Sequence, residues 1–345
     1  MRLIDANLNR IREGLRVLED IARFVLDDAA LSEALKKMRH EIAGNNGRLQ
    51  RQLLVSRKSE DDVGAFLKIQ DNTGRNSLLD VTVANARRVE EALRVIEEVA
   101  KIPGSGFDSE AFQRTRFSVY QIEQDMVTLL SRKNKRERIK GLCIIINLDI
   151  LNGQNLREIV EEVIRAGAKV IQLRAEQCSP VKIFKAAQEI AQVCTAHDIL
   201  FIICGHPDIA AVSGADGVQL QQGDLPLSQA HRILSIDRII GCTVTSALQA
   251  HEADIQGADF LTTDPIFSSL SLREIKPVGL EILHEITEAT VLPVIAVGGI
   301  DTGNIISVAK TGVSSCAVDV STVESGSIEN TTRELVVKIE SISRN

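Results

Sequence analysis

Tryptophan is absent from the 345 residues, tyrosine occurs once and phenylalanine nine times. So thin an aromatic complement argues against the stacking platforms that hold single-stranded nucleic acid. No stretch approaches the roughly 20 uninterrupted apolar residues of a membrane-spanning helix. The opening MRLIDANLNRIREG is charged throughout and lacks the apolar core of a secretory signal. These absences lead us to expect a cytoplasmic protein without nucleic-acid or membrane partners. The six cysteines include no C-x-x-C pair, which argues against a structural zinc site. There is no P-loop, and no G-x-G-x-x-G turn follows the first predicted strand.

What is present is ordinary globular material, 44% hydrophobic and 25% charged, which excludes a disordered chain. The formal net charge of −7 is unevenly spread: residues 1–140 carry 26 Lys/Arg against 22 Asp/Glu, and residues 141–345 carry 14 against 25. All six cysteines lie in the acidic half, most of them in apolar runs, and read as buried free thiols. The asymmetry predicts two domains, 1–135 and 136–345, joined near SRKNKRERIK (131–140). That basic run reads as a solvated helix end or linker, with a phosphate-binding tail as the alternative.

The first half has helical rhythm. Leu8, Ile11, Leu15, Leu18, Ala22 and Val25 form one apolar stripe, and Ala86, Val89, Leu93, Ile96 and Ala100 form another. Further helices are expected from about Ser32 to Asn46 and from Asp108 to Leu130, with a loop through DDVG (61–64) and DNTGRN (71–76). The segment from Ala6 to Asp20 recurs from Ala84 to Glu98, so Asn7, Arg10, Glu13 and Arg16 return as Asn85, Arg88, Glu91 and Arg94. Two readings fit the recurring polar residues: salt bridges along each helix, or a polar binding site between two paired helices.

The second half alternates short β-branched runs with amphipathic helices. Strands are expected at Cys143–Asn147, Val170–Arg174, Leu200–Ile203, Gly217–Leu220, Ile239–Cys242, Phe260–Thr262, Val294–Val297 and Ser315–Asp319. Eight strand–helix units predict an α/β fold, a (β/α)8 TIM barrel preceded by an all-α helical domain. A doubly wound open sheet is the competing arrangement. Barrel chemistry sits at the carboxyl ends of the strands. That rule selects Gln172, Arg174, Cys204-Gly205-His206, Gln219 to Asp224, Thr243, Thr245, Asp264, Gly298-Gly299 and Asp319. Gly298-Gly299, ahead of a helix expected near Asp301, reads either as a phosphate cradle or as a tight turn.

The stretches AGAKVIQLRAE (166–176), GADGVQLQQGDLP (214–226), GADFLTTDPIF (257–267), PVGLEIL (277–283) and LPVIAVGGID (292–301) resemble thiamin phosphate synthase. The resemblance implies Mg²⁺-dependent transfer of hydroxymethylpyrimidine from its diphosphate to thiazole phosphate, with pyrophosphate leaving first. It assigns Arg174 and Thr243 to catalysis, Gln172, Gln222, Gly298 and Gly299 to substrate and phosphate, and Asp224 to the metal. The sequence departs from the family at the leaving group. The lysine of Q-x-R-x-K is Glu176, the N-D-R stretch is Cys204-Gly205-His206, and T-x-T-K is Ser269-Leu270-Ser271-Leu272, with Arg273 and Lys276 close behind. A barrel that binds a monophosphate but ionises a diphosphate weakly is therefore expected. The paralogous thiazole tautomerase shares the barrel, but its histidine position is Thr245, and His206 reads as a satisfied surface residue.

RLIDANLNRIREGLRVLEDIARF (2–24), KMRHEI (37–42), ANARRVEEALRVIEE (84–98) and FQRTRFSVYQIE (112–123) resemble the helical domain fused to such synthases. That family is associated with hydroxymethylpyrimidine phosphate kinase activity. The resemblance implies an N-terminal site of Asn7, Arg10, Glu13, Arg16, Asn85, Arg88, Glu91 and Arg94, with Arg39 and His40 nearby, using ATP. Two alternatives to a working synthase are a kinase carrying a catalytically decayed barrel and a non-catalytic sensor of phosphate ligands. A homo-oligomer is compatible with the sequence.

Overall fold

A computed structural model describes residues 1–43, 55, 74–151, 154–268, 276–322 and 328–343. The chain separates into two compact units, Met1–Ser131 and Arg132–Asn345.

The first unit is helical: α1 (Arg2–Phe24), α2 (Ala29–Ala43), α3 (Leu78–Ala100) and the start of α4 (Ser109–Glu137). The two apolar stripes bury together in one core with Leu35, Val119, Ile122 and Met126. Gly14 sets the approach of α1 to α3, because a Cβ there would stand 2.5 Å from Val89 Cγ2 and 3.1 Å from the Asn85 carbonyl oxygen. Ser77 and Asp80 form a reciprocal capping box at the start of α3. At α4, the Asp108 carboxylate accepts from the backbone N–H of Glu110 and Ala111. Of the loop predicted through DDVG and DNTGRN, residues 61–73 lie outside the described residues, and 74–76 are non-helical as expected.

The second unit is a closed barrel of eight parallel strands in sequence order. They are β1 (Gly141–Asn147), β2 (Val170–Arg174), β3 (Leu200–Cys204), β4 (Gly217–Leu220), β5 (Ile239–Thr243), β6 (Phe260–Thr263), β7 (Val294–Ala296) and β8 (Ser315–Asp319). The helices between them are α5 (Leu156–Arg165), α6 (Pro180–Ala196), α7 (Pro207–Ser213), α8 (Leu227–Ile233), α9 (Ala247–Ile255), α10 (Gly279–Glu288) and α11 (Ile305–Ala309), with α12 (Ile328–Ser343) last. The period-2 alternation of strands decides which side chains enter the barrel. Ile171 and Leu173 of β2 point out into the helix layer. Val170 joins the interior cluster with Cys143, Ile145, Leu200, Ile202, Phe260 and Ile295. The same alternation carries Gln172 and Arg174 inward, one and two steps nearer the carboxyl end. Gly241 leaves room for the interior ring of Phe260, since a Cβ on it would stand 2.3 Å from that ring.

The basic run corrects the linker reading. It continues α4 to Glu137, and three of its cations are held by carboxylates just ahead of barrel strands. Arg132 meets Asp259 at 2.7 Å, Lys135 meets Asp216 and Asp237, each at 3.4 Å, and Arg138 meets Asp198 at 2.9 Å. These cations close the amino end of the barrel, so their charge is spent on structure. All six cysteines are free thiols. Burial pushes those of Cys204 and Cys242 up to about 11, so both stay protonated at neutral pH.

Candidate active site at the barrel mouth

Four buried polar atoms without a hydrogen-bond partner gather at the carboxyl end of the barrel: Gln172 Oε1, Arg174 Nε, Thr262 Oγ1 and Asp264 Oδ1. Buried polar groups are normally paired, so this concentration marks where a polar ligand completes the bonding. Around it, Gln172 Nε2 donates to Gln219 Oε1 at 3.2 Å, and Gln219 Nε2 donates to Thr243 Oγ1 at 2.6 Å. The amides thus form a chain from β2 through β4 to β5, and hold Gln172 with one oxygen presented to the mouth. Arg174 Nη2 donates to Asp264 Oδ2 at 3.0 Å.

The loop after β4 brings Gln222 and Asp224 beside Thr243 around a cavity of about 250 Å³, which Thr245 and Gln249 also line. Asp224 Oδ2 accepts from the Gln221 N–H at 2.7 Å, and the carboxylate faces Gly205. His206 Nε2 lies 3.2 Å from the Ala175 carbonyl oxygen, which accounts for it as a satisfied loop contact. Asp149 accepts from the backbone N–H of Glu176 and Gln177, at 2.7 and 3.1 Å, and fixes the loop after β2 with the Glu176 side chain exposed. Asp149 was not foreseen, and only its place just past the first strand could have signalled it. Ser269 to Arg273 lie outside the described residues, and Lys276 is exposed.

Gly298 and Gly299 sit at φ +95° and +68°. A Cβ on Gly298 would stand 2.7 Å from both Asp264 Oδ1 and Pro265 Cα, and one on Gly299 would stand 2.8 Å from Phe267 Cβ. Both strain and space therefore demand glycine. The helix expected near Asp301 begins later, at Ile305. Asp301 Oδ1 first accepts from the N–H of Gly303 and Asn304, making a turn in between. Gly298→Ala is expected to lower Tm by several degrees, because the added Cβ meets backbone at a positive φ, and a thermal melt checks it.

In the helical unit the repeated residues make matching contacts. Asn7 and Asn85 each donate to the carbonyl four residues back, at 2.8 Å. Arg16 pairs with Glu19 and Asp20, and Arg94 with Glu97 and Glu98. Arg10 donates to Asn7, Arg88 meets Glu13 across α1 and α3 at 3.3 Å, and Glu91 is exposed. Glu19 and Glu97 are buried, and each is also met from the following helix, by Arg39 at 2.9 Å and Arg116 at 3.0 Å. Arg116 was not foreseen; its signal was only that the buried Glu of the first repeat recurs in the second. His40 lines a surface cavity of about 710 Å³ with Glu19, Arg23 and Lys36.

Glu90 on α3 is held against Glu123 on α4. Burial, reinforced by the Glu123 charge, raises its carboxyl to about 7. A folded-state value above the unfolded 4.5 means this group's stabilising contribution is full below pH 4.5 and lost as pH rises through about 7. Glu90→Gln is therefore expected to raise Tm by about 3 °C at pH 8 and to leave it unchanged at pH 4.5, as melts at the two pH values will show.

Residues 142–322 match the protein family described as thiamine monophosphate synthase, and residues 2–125 match the ThiD2 family. The chain belongs to the thiamine monophosphate synthase family. The thiamine-phosphate synthase of Synechococcus sp. (strain CC9311) is 35% identical over 97% of this chain and 95% of its own length. That of Thermosynechococcus vestitus is 34% identical over 98% and 94%. Thiamine phosphate pyrophosphorylase from Pyrococcus furiosus superposes with a TM-score of 0.54 at 31% identity, covering 60% of this chain and 98% of its own. Family membership makes this a thiamin-biosynthetic transferase barrel. Among the described residues, no helix is long and apolar enough to cross a membrane.

Proposed function

We propose that the barrel couples hydroxymethylpyrimidine diphosphate to thiazole phosphate, forming thiamin phosphate and releasing pyrophosphate. The observation that carries this is the convergence of unpaired buried donors and acceptors at the mouth of a thiamine monophosphate synthase barrel. In this reading Gln172, held by Gln219 and Thr243, presents its free oxygen to the edge of the pyrimidine. Arg174 faces the diphosphate, where negative charge grows as the C–O bond breaks. Gly298 and Gly299 hold the thiazole phosphate, leaving the ring nitrogen to capture the pyrimidine cation. Gln222 borders the cavity beside Asp224 and Thr243 as a further polar contact.

Among the described residues no group of three or more His, Cys, Asp or Glu is placed to hold a metal. The donor set fits Mg²⁺ only in the mode in which water and diphosphate oxygens supply most ligands. Asp224 would be the protein ligand, and the ion would neutralise charge on the leaving group. The test is to supply the full chain with both substrates and Mg²⁺ and to measure thiamin phosphate by fluorescence after oxidation. A folded chain that yields none overturns the reading.

The ThiD2 match favours a second activity, ATP-dependent phosphorylation of hydroxymethylpyrimidine phosphate by the helical unit. In that reading the exposed parts of the repeated Arg and Glu set meet phosphate. Incubation with the monophosphate and ATP tests it, since formation of the diphosphate is its required product.

A further inference from the structure

Two arginine–aspartate bridges in the barrel unit differ in how complete they are. Asp259, at the amino end, accepts from Arg132 Nε and Nη2 at 2.7 to 3.2 Å and from the Ile240 N–H at 2.8 Å. Neither partner leaves a buried atom unpaired. That is how a structural bridge is built, because every desolvated lone pair and proton is used. Arg174 and Asp264, at the carboxyl end, share one bond of 3.0 Å with both side chains 16% exposed. Arg174 Nε and Asp264 Oδ1 are left buried without partners.

The position of that idle oxygen is informative. Oδ1 lies 2.7 Å from where a Cβ on Gly298 would stand, so the carboxylate fills the space between the arginine and the glycine pair. An anion entering this space meets a carboxylate already on the cation it needs. Rotating Asp264 away would free one face of the guanidinium. The Cys204 sulfur, which lies near Arg174, is a weak partner that does not hold the arginine against a diphosphate.

We propose that Asp264 is a specificity-determining latch: it occupies Arg174 as an internal anion, and a diphosphate binds only by displacing it. This rests on the reading that the barrel takes a diphosphate substrate. A site that charges every anion for breaking the Arg174–Asp264 bond favours ligands with enough oxygens to take over the arginine and reject single phosphates there. The monophosphate is thus left to the glycine pair, and the free site stays shut to cellular phosphate. Apparent affinity falls by the fraction of molecules in which the latch is open.

The test uses the full chain and inorganic pyrophosphate with Mg²⁺, titrated calorimetrically into wild type, D264N, R174Q and the double variant. D264N is expected to bind pyrophosphate about tenfold tighter than wild type, and inorganic phosphate to gain as well. In the R174Q background the same substitution is expected to change binding by less than twofold. D264S, smaller and also neutral, guards against a packing fault peculiar to the amide and is expected to behave like D264N. Unchanged or weaker binding in both neutral variants overturns the latch, as does a gain that persists without Arg174 or an absence of binding throughout. Thiamin phosphate formation measured on the same samples separates the two ideas. Tighter pyrophosphate binding with no product from any variant removes the synthase reading and leaves the latch. Product from wild type with no gain in D264N does the reverse.

Discussion

Exchanging Arg174 for glutamine is expected to lower kcat/KM for the pyrimidine diphosphate about a hundredfold, a loss of about 2.7 kcal/mol. The KM for thiazole phosphate should move less than threefold. The asymmetry follows from where charge appears. As the C–O bond to the leaving group breaks, negative charge accumulates on the diphosphate, and Arg174 is a cation fixed inside the mouth with little exposure to solvent. In the proposed reading, thiazole phosphate held by Gly298 and Gly299 brings its own charge and does not change it along the reaction. The glutamine variant also strands Asp264 as an unpaired carboxylate, and the R174Q/D264N double variant separates the two effects. If the loss comes from the missing cation, the double variant stays about a hundredfold down. If it comes from the stranded carboxylate, activity returns. Steady-state kinetics with each substrate varied in turn decides. A loss below threefold in R174Q would mean that the leaving group is stabilised from elsewhere, with Arg273 and Lys276 the first residues to exchange.

The barrel was legible because its strands announce themselves twice, by β-branched runs and by the helices between them. Val170–Arg174, Gly217–Leu220 and Ser315–Asp319 have their predicted limits, and the other strands differ by one or two residues. The strand-end rule then selected Gln172, Gln219, Thr243 and Asp264 together, and the structure brings them to one mouth. What the sequence did not reveal is which of these residues bind each other. Arg174 and Asp264 are 90 positions apart on strands that are not neighbours, so their meeting depends on barrel closure and interior facing at once. No local pattern encodes that. The basic run is the helix end it was read as, but its partners were missed for the same reason. Asp198, Asp216, Asp237 and Asp259 each stand one or two residues before a strand, and only the closed barrel gathers them under one helix end. The repeat in the helical unit lies between these cases. Its offset was plain in the sequence, and so was the option of salt bridges along each helix, which the contacts of Arg16 and Arg94 match. Arg39 was singled out beside that site, but its pairing with Glu19 was not, and Arg116 escaped altogether because it lies on a helix whose polar residues do not repeat in step.

Glu97→Ala should cost the helical unit about 4 kcal/mol and lower its melting temperature by about 10 °C. Glu97 is 1% exposed and sits between Arg94 at 2.6 Å and Arg116 at 3.0 Å, with Lys101 at 3.8 Å. Taking the carboxylate away strips the largely buried Arg116 of its carboxylate, while Arg94 and Lys101 keep Glu98, and removing one partner of a buried pair is the expensive way to break it. Glu19 holds the corresponding place against Arg16 at 3.3 Å and Arg39 at 2.9 Å. Glu19→Ala is therefore expected to cost the same within about 1 kcal/mol. Thermal melts of the full chain, with hydrogen exchange followed separately over residues 2–24 and 78–100, locate the loss in the altered hairpin. The outcome also bears on the kinase reading. Arginines committed to buried carboxylates are poor phosphate ligands, because freeing them leaves the carboxylate unpaired. If either variant melts within 2 °C of wild type, the carboxylate is not needed to balance the arginines. Arg94 and Arg116, or Arg16 and Arg39, would then be available to a phosphate, and inorganic phosphate should raise the Tm of the alanine variant above that of wild type under the same conditions. If both variants lose about 10 °C, the repeated charges are the framework of the unit, and any phosphate chemistry there must use the residues around them, beginning with Arg23, Lys36 and His40 along the surface cavity.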